Sequence, residues 1–341
     1  MSLNDPVFEL VTVPDPEADE AQRLAARAQL GRRRLPPSLH DHRAAARHYR
    51  PSSHLRMAIN LALNLGAPLL LTGEPGTGKT QVAEFLAWYF KIPVFKFQVK
   101  SNSSAEDLRY DFDAVGYLHW AQSGRTAAEA GVETASPDPA PVAVGSPAER
   151  DPLLAASARE RSRFLTKGAL WLAYLEKTDV VLLIDEIDKA PRDFPNDLLH
   201  ELDQHCFRHP FLGVDIRPTS GRPPILVVTS NDERRLPDAF LRRCIFHRIE
   251  ITDALVKDAV RAHADDFPNL DPETLDAALA CFWRLRELAE EKKPSTAELL
   301  AWLCILSARG EPASRLRACG LADLPGLGVL LKDQSDLDNL R

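Results

Sequence analysis

The chain has 341 residues, 42 Lys and Arg against 49 Asp and Glu, and a formal net charge of −7. At 45% apolar and 27% charged residues it can fill the core of one large domain and a smaller one, and the acidic balance argues against nucleic-acid binding as the main task. No stretch reaches the length of a membrane span, and residues 1–13 hold acidic and proline residues where a secretory leader needs a basic start and an apolar run. The five cysteines (Cys206, Cys244, Cys281, Cys304 and Cys319) form no C-x-x-C pair, and their odd number argues against a disulfide framework. A reduced, cytoplasmic setting is expected, with no membrane contact.

Residues 1–20 are acidic and punctuated by proline, a composition in which order is not expected. From residue 22 to residue 56 the charge turns basic, with Arg32, Arg33 and Arg34 in a row. Few aromatics stand between the basic residues, so a solvated arm on the domain surface is favoured over a nucleic-acid contact. Ser52 or Ser53 then caps a helix bearing Leu55, Ile59 and Leu63, and Gly66-Ala67-Pro68 leads into a first strand, Leu69-Leu70-Leu71-Thr72.

The next eight residues are Gly73, Glu74, Pro75, Gly76, Thr77, Gly78, Lys79 and Thr80, followed by helical spacing at Val82, Phe85, Leu86 and Tyr89. Strand, glycine loop and helix give the G-x-x-x-x-G-K-[ST] pattern the context it needs. Gly76 and Gly78 allow backbone N–H groups to turn inward as an anion nest at a helix N-terminus. Lys79 is placed to reach the β- and γ-phosphates, and Thr80 to ligate Mg²⁺. A plain glycine turn between strand and helix is the alternative. The context favours a nucleoside triphosphate site, with ATP and Mg²⁺ as its expected occupants.

Residues 94–99 alternate apolar and polar as a second strand. The stretch 101–178 is long for a connection. It opens with Tyr110, Phe112, Tyr117 and Trp120, passes through an Ala/Pro/Gly/Ser-rich segment at 135–150 that reads as a loop, and regains helical periodicity over 164–175. An insertion decorating the core, at about residues 101–165, is expected. Val180 to Ile184 then form a strand apolar enough to be buried on both faces, ending in Asp185-Glu186. A carboxylate pair at such a tip lies where open α/β sheets bind ligands. Asp185 is placed to hold Mg²⁺ and Glu186 to activate an attacking water.

A helix is expected over 193–205. Its His200-Glu201-Leu202-Asp203-Gln204-His205 nearly matches H-E-x-x-H, but with the second His at i+5 the rings diverge by roughly 140°, which rules out a shared zinc. Residues 225–231 read as a fourth strand ending in Asn231, which could bond a γ-phosphate or the lytic water. Leu241-Arg242-Arg243-Cys244 precedes a fifth strand at 245–251.

The ordered set Gly73 to Thr80, Ile184-Asp185-Glu186, Thr229-Ser230-Asn231 and Leu241-Arg242-Arg243-Cys244 resembles the AAA+ ATPases. Asp185-Glu186-Ile187-Asp188-Lys189-Ala190-Pro191, together with the insertion, is similar to their MoxR-like branch. The resemblance covers roughly residues 50–341. It implies an α/β fold of the P-loop NTPase kind, a five-stranded parallel sheet followed by a small all-α lid. The domains expected are an N-terminal arm at 1–50, a nucleotide-binding domain at 51–252 and the lid at 253–341, with helices near 253–266, 271–291 and 296–308 and a closing segment at 321–331.

By the same resemblance Asn231 is sensor 1, and Arg243 is the arginine finger acting on the ATP of a neighbouring subunit, with Arg242 as the alternative. The sensor 2 position falls on Ala297, which cannot touch a phosphate; Lys293 or Arg284 would have to substitute. The activity implied is Mg²⁺-dependent ATP hydrolysis in a homo-oligomeric ring, hexameric by family habit, that remodels or activates a protein partner, such as one containing a von Willebrand factor A domain. Two alternatives are an ATP-dependent assembly switch or scaffold with little turnover, and a DNA-dependent motor, which the acidic charge disfavours.

Overall fold

In the computed structural model the described residues are 42–129 and 152–340. They divide into two compact units, one of residues 56–72 and 90–247, the other of residues 42–55, 73–89 and 248–340.

The first unit is built on a sheet of five strands: β1 Leu69–Thr72, β2 Val94–Gln98, β3 Val181–Asp185, β4 Ile225–Ser230 and β5 Ile245–Arg248. The sheet is parallel, in the order β2-β3-β4-β1-β5, which is the expected α/β fold. Its central strands are apolar without alternation because both of their faces are covered. β1 is buried throughout, as is β3 from Val181 to Ile184. The edge strands β2 and β5 alternate instead, with Lys96, Gln98, Phe246 and Arg248 exposed. β5 ends three residues before the expected bound.

Register sets the working end of this sheet. Gln98 of β2 lies opposite Asp185 of β3, and Ile184 lies opposite Val228 of β4. The carboxyl ends of β2, β3 and β4 therefore bring Gln98, Asp185-Glu186 and Asn231 to one edge, where open α/β sheets place their ligands. Below that edge Leu70, Leu182, Ile184 and Val228 of the sheet share a core with Trp171, Tyr174, Phe194 and Phe207.

The connection from β2 to β3 is more ordered than a loop. A short helix, Ala105–Arg109, is fixed by a Ser104 capping box and runs into a strand, Tyr110–Phe112, that pairs antiparallel with Leu165–Lys167. Helices Ala114–Glu129 and Pro152–Ser162 lie between the two strands, and Ala169–Leu175 follows them. The helical expectation for 164–175 thus holds only from Ala169. Before it the chain is taken by the ribbon, where Gly168 N–H donates to Arg109 O at 2.8 Å. The loop expected at 135–150 lies outside the described residues. Between β3 and β4, the single helix expected over 193–205 is instead two, Phe194–Asp197 and Leu199–Gln204, and His205 closes the second in the left-handed region.

The second unit is mainly helical and confirms the expected helical C-terminal region. Helices Asp253–Ala262, Pro272–Leu288 and Thr296–Arg309 each begin with a side-chain cap, from Thr252, Asp271 and Ser295 respectively. Each cap meets N–H groups that the first helical turn leaves unpaired. Phe282, Leu285, Leu299, Trp302 and Leu303 form its core. The indole of Trp302 is buried and donates to Pro325 O at 2.7 Å. The expected closing segment is two short turns, Leu321–Asp323 and Leu327–Leu330. Asp336, farther on, accepts backbone N–H groups of Glu290, Glu291 and Lys292. The end of the basic stretch packs on this unit, with Tyr49 5.7 Å from Phe85 and His48 5.1 Å from His263 between ring centroids. Burial first, and His263 second, hold the His48 imidazole below its ordinary range. Arg32, Arg33 and Arg34 lie outside the described residues.

Candidate functional site

The glycine loop belongs to the helical unit by its packing. Gly76 and Gly78 have φ of 75° and 85°, values that side-chain-bearing residues rarely adopt, so the backbone turns where the sequence requires it. The helix Lys79–Phe90 starts directly after them, and its first N–H groups have no partner inside the helix. Lys79 is only 6% exposed, and its ammonium donates to Gly73 O at 2.8 Å and Glu74 O at 2.9 Å. Thr77 donates its hydroxyl to Glu74 O at 2.9 Å. Pro75 is exposed at the tip, and Thr80 lies in the first turn of the helix.

A glycine nest at a helix start, with a lysine drawn inward, fits the polyphosphate of a nucleoside triphosphate. The Thr80 hydroxyl and the Asp185 carboxylate are hard oxygen donors, the kind Mg²⁺ prefers.

Asp185 and Glu186 lie at the tip of β3. The hydroxyl of Thr229 donates to Asp185 Oδ1 at 2.6 Å and accepts the backbone N–H of Glu186 at 2.9 Å. Glu186 stands in the left-handed region, at φ 59° and ψ 52°, an uncommon conformation for a residue with a side chain. Such strain persists only where the surroundings over-determine it, and here the restraints are visible. Gln98 donates to Oε2 at 2.6 Å, Lys189 to the same oxygen at 2.5 Å, and Asn231 Nδ2 to Oε1 at 3.3 Å. The bond to Glu186 holds the Lys189 ammonium above its ordinary range. Asp188, 2% exposed, accepts the N–H groups of Asn231 and Glu233 at 3.1 Å each, which ties the segment after β4 to the turn after β3.

The structure therefore brings Asp185, Glu186 and Asn231 together. Arg243 is engaged elsewhere in the same unit, in a two-pronged pair with Asp203 at 2.6 and 2.7 Å. The hydrogen bond between them raises the arginine above and lowers the aspartate below its ordinary range. Arg242 is exposed, with no side-chain hydrogen bond or ion pair among the described residues. No cluster of three or more His, Cys, Asp or Glu suited to a metal ion occurs among the described residues.

Several residues escaped the sequence reading. Gln98, Lys189 and Thr229 act on the carboxylates only through register and turn geometry. Lys293 and Arg284 are exposed. From the C-terminal helices of this unit Arg286 reaches the loop, with its Nη2 2.8 Å from Glu74 Oε2. A signal for it existed: Arg286 falls four residues after the buried Phe282, on the apolar stripe, where a buried arginine needs a partner for its charge.

All five cysteines are free, and burial pushes the Cys244 and Cys304 thiols up to about 12. Among the described residues no helix is long and apolar enough to cross a membrane.

No curated protein matches the chain. Among solved structures it is similar to NtrX from Brucella abortus in complex with ADP, at 14% identity and a TM-score of 0.44, over 94% of this chain and 66% of that one. NtrX in complex with ATP gives 14% identity and 0.42, over 94% and 65%. A candidate ATPase from Cytophaga hutchinsonii gives 10% identity and 0.38, over 79% and 77%. The chain thus spans just under two thirds of the length of the NtrX chains. Likenesses this distant say nothing of substrate or partner. The family comparison is more direct: residues 69–253, more than half of the chain, match the model of the ATPase family associated with various cellular activities. The chain belongs to the AAA ATPase family.

Proposed function

We propose that the chain is a Mg²⁺-dependent ATPase of the MoxR-like kind. It works in the cytoplasm as a homo-oligomeric ring, six-membered in the family pattern, and spends hydrolysis on remodelling or activating a protein partner. A partner carrying a von Willebrand factor A domain fits that branch. In this reading the domains are the arm at 1–50, the nucleotide-binding domain at 51–252 with its insertion at about 101–165, and the lid at 253–341. Residues Gly73 to Thr80 take the phosphates, with Lys79 as the cation. Thr80 and Asp185 hold the metal, which when bound offsets charge on the phosphates. Glu186 takes the proton of the attacking water, Asn231 orients that water or the phosphate, and Arg243 serves a neighbouring subunit.

One observation carries the hydrolytic part. Glu186 stands in a strained conformation with donors on both of its oxygens, while its backbone is tied through Thr229 to Asp185. A carboxylate so positioned suits proton transfer at a fixed point better than it suits a solvated strand end. The test is titration of Lys79→Ala with a fluorescent ATP analogue. The variant should lose affinity by at least about 100-fold, since charged hydrogen bonds are worth about 1.5–3 kcal/mol each and the lysine supplies more than one. Unchanged affinity removes Gly73 to Thr80 as the site.

A second reading, the assembly switch with little turnover, has its own support. Lys189 and Gln98 engage Glu186, and Asp203 engages Arg243, so the chain by itself holds its proposed base and finger in other bonds. Turnover that stays low at every protein concentration and with every partner tried favours the switch.

A further inference from the structure

Glu74 is held from both ends. Its backbone carbonyl accepts the Lys79 ammonium and the Thr77 hydroxyl, each at 2.9 Å, while its side-chain Oε2 accepts Arg286 Nη2 at 2.8 Å. Arg286 is no ordinary surface arginine. Its side chain is 9% exposed, its Nη1 donates to Pro294 O, and its guanidinium carbon lies 5.9 Å from the ring centroid of Phe282 and 6.0 Å from that of Trp283. Glu74 by contrast is half exposed. Beyond this pair, the cap residue Ser295 lies so close that a Cβ on Gly76 would stand 2.4 Å from its own Cβ.

Two physical arguments meet here. A carboxylate in a loop shaped for polyphosphate works against anion binding unless a cation cancels its charge. A guanidinium taken out of water is costly unless its donors are met. Glu74 and Arg286 answer each other's difficulty, and the carbonyl of Glu74 is one of the two that fix Lys79.

We propose that Arg286 is a positioning residue that acts through Glu74: the helix Pro272–Leu288 neutralises and orients Glu74, so the loop's affinity for a nucleoside triphosphate depends on how that helix is docked. The inference rests on the nucleotide reading of Gly73 to Thr80. It differs from a direct contact between Arg286 and phosphate, because the effect must pass through the Glu74 carboxylate.

The test is a double-mutant cycle on the full chain, read by titration with a fluorescent ATP analogue and by ¹⁹F NMR of 5-fluorotryptophan at Trp283. The resonance is identified by its loss in Trp283→Phe, and melting temperatures confirm that each variant folds. Arg286→Met should weaken binding about tenfold, an ordinary coupling between contacting charged groups, and should have little further effect in a Glu74→Gln background. Without nucleotide, Glu74→Gln should shift the Trp283 resonance, because the guanidinium beside that ring loses its anchor. If Arg286→Met fails to fold, Arg286→Lys serves in the same cycle. Equal loss from Arg286→Met in both backgrounds, or none in either, overturns the proposal, as does a Trp283 resonance indifferent to Glu74→Gln. Wild-type protein that binds no nucleotide overturns the site reading and this inference together, whereas normal wild-type binding with a failed cycle overturns this inference alone.

Discussion

The glycine loop and the carboxylate edge are built in opposite ways. Around Lys79 the restraints are local: the two carbonyls that hold its ammonium belong to Gly73 and Glu74, six and five residues before it. Around Glu186 they come from afar: Gln98 is 88 residues away and Asn231 is 45, with only Lys189 close, at three. A local cradle follows from backbone conformation and survives in any context that keeps strand, turn and helix. The carboxylate edge exists only while β2, β3 and β4 hold their register, since a slip of one residue would turn Gln98 to the other face. Binding and hydrolysis should therefore be separable by mutation, binding being lost at the loop and turnover at the edge.

Arg243 offers the largest expected separation. Arg243→Ala should bind nucleotide normally and lose about 10³-fold or more in turnover, the range in which arginine fingers act. Mixing Arg243→Ala with Glu186→Gln should restore part of the activity, because some interfaces of a mixed ring pair an intact base with an intact arginine. Steady-state turnover of the separate and mixed proteins checks this. If Arg243→Ala keeps full activity, the role passes to the exposed Arg242 or is abandoned, and the in-chain pair with Asp203 is all that Arg243 does.

Thr229 gives a smaller and more local effect. Its hydroxyl serves Asp185 and the Glu186 N–H while 1% exposed. Thr229→Val keeps the shape and strands those partners, so stability should fall by about 1–3 kcal/mol in urea unfolding. Turnover should fall with it and nucleotide affinity should not. A variant that loses affinity as much as turnover would erase the division between loop and edge.

That division also governs what could be read from the sequence. The loop residues are contiguous, and apolar runs such as Leu69-Leu70-Leu71 and Val181-Leu182-Leu183-Ile184 announce strands covered on both faces, so sheet and cradle were legible. The helices of the C-terminal region were expected from the family resemblance, while their Asp271 and Ser295 caps emerged only with the structure. The ribbon between Tyr110–Phe112 and Leu165–Lys167 was not, because its strands are three residues long and stand more than fifty apart. Gln98 was missed for a related reason, since a polar residue on an edge strand is ordinary until its partner Glu186 is known; the apolar stripe marks Arg286 as buried but does not name Glu74 as its partner. Sequence shows which groups exist; register and docking decide which of them meet.

The central claim, that Glu186 is the base of an ATPase whose nucleotide is held at the loop, is tested most directly by Glu186→Gln, measured for ATP binding and for turnover in the same preparation. The account predicts unchanged affinity and a loss of turnover of at least about 100-fold, the usual contribution of general-base catalysis. Wild-type turnover in Glu186→Gln would contradict it.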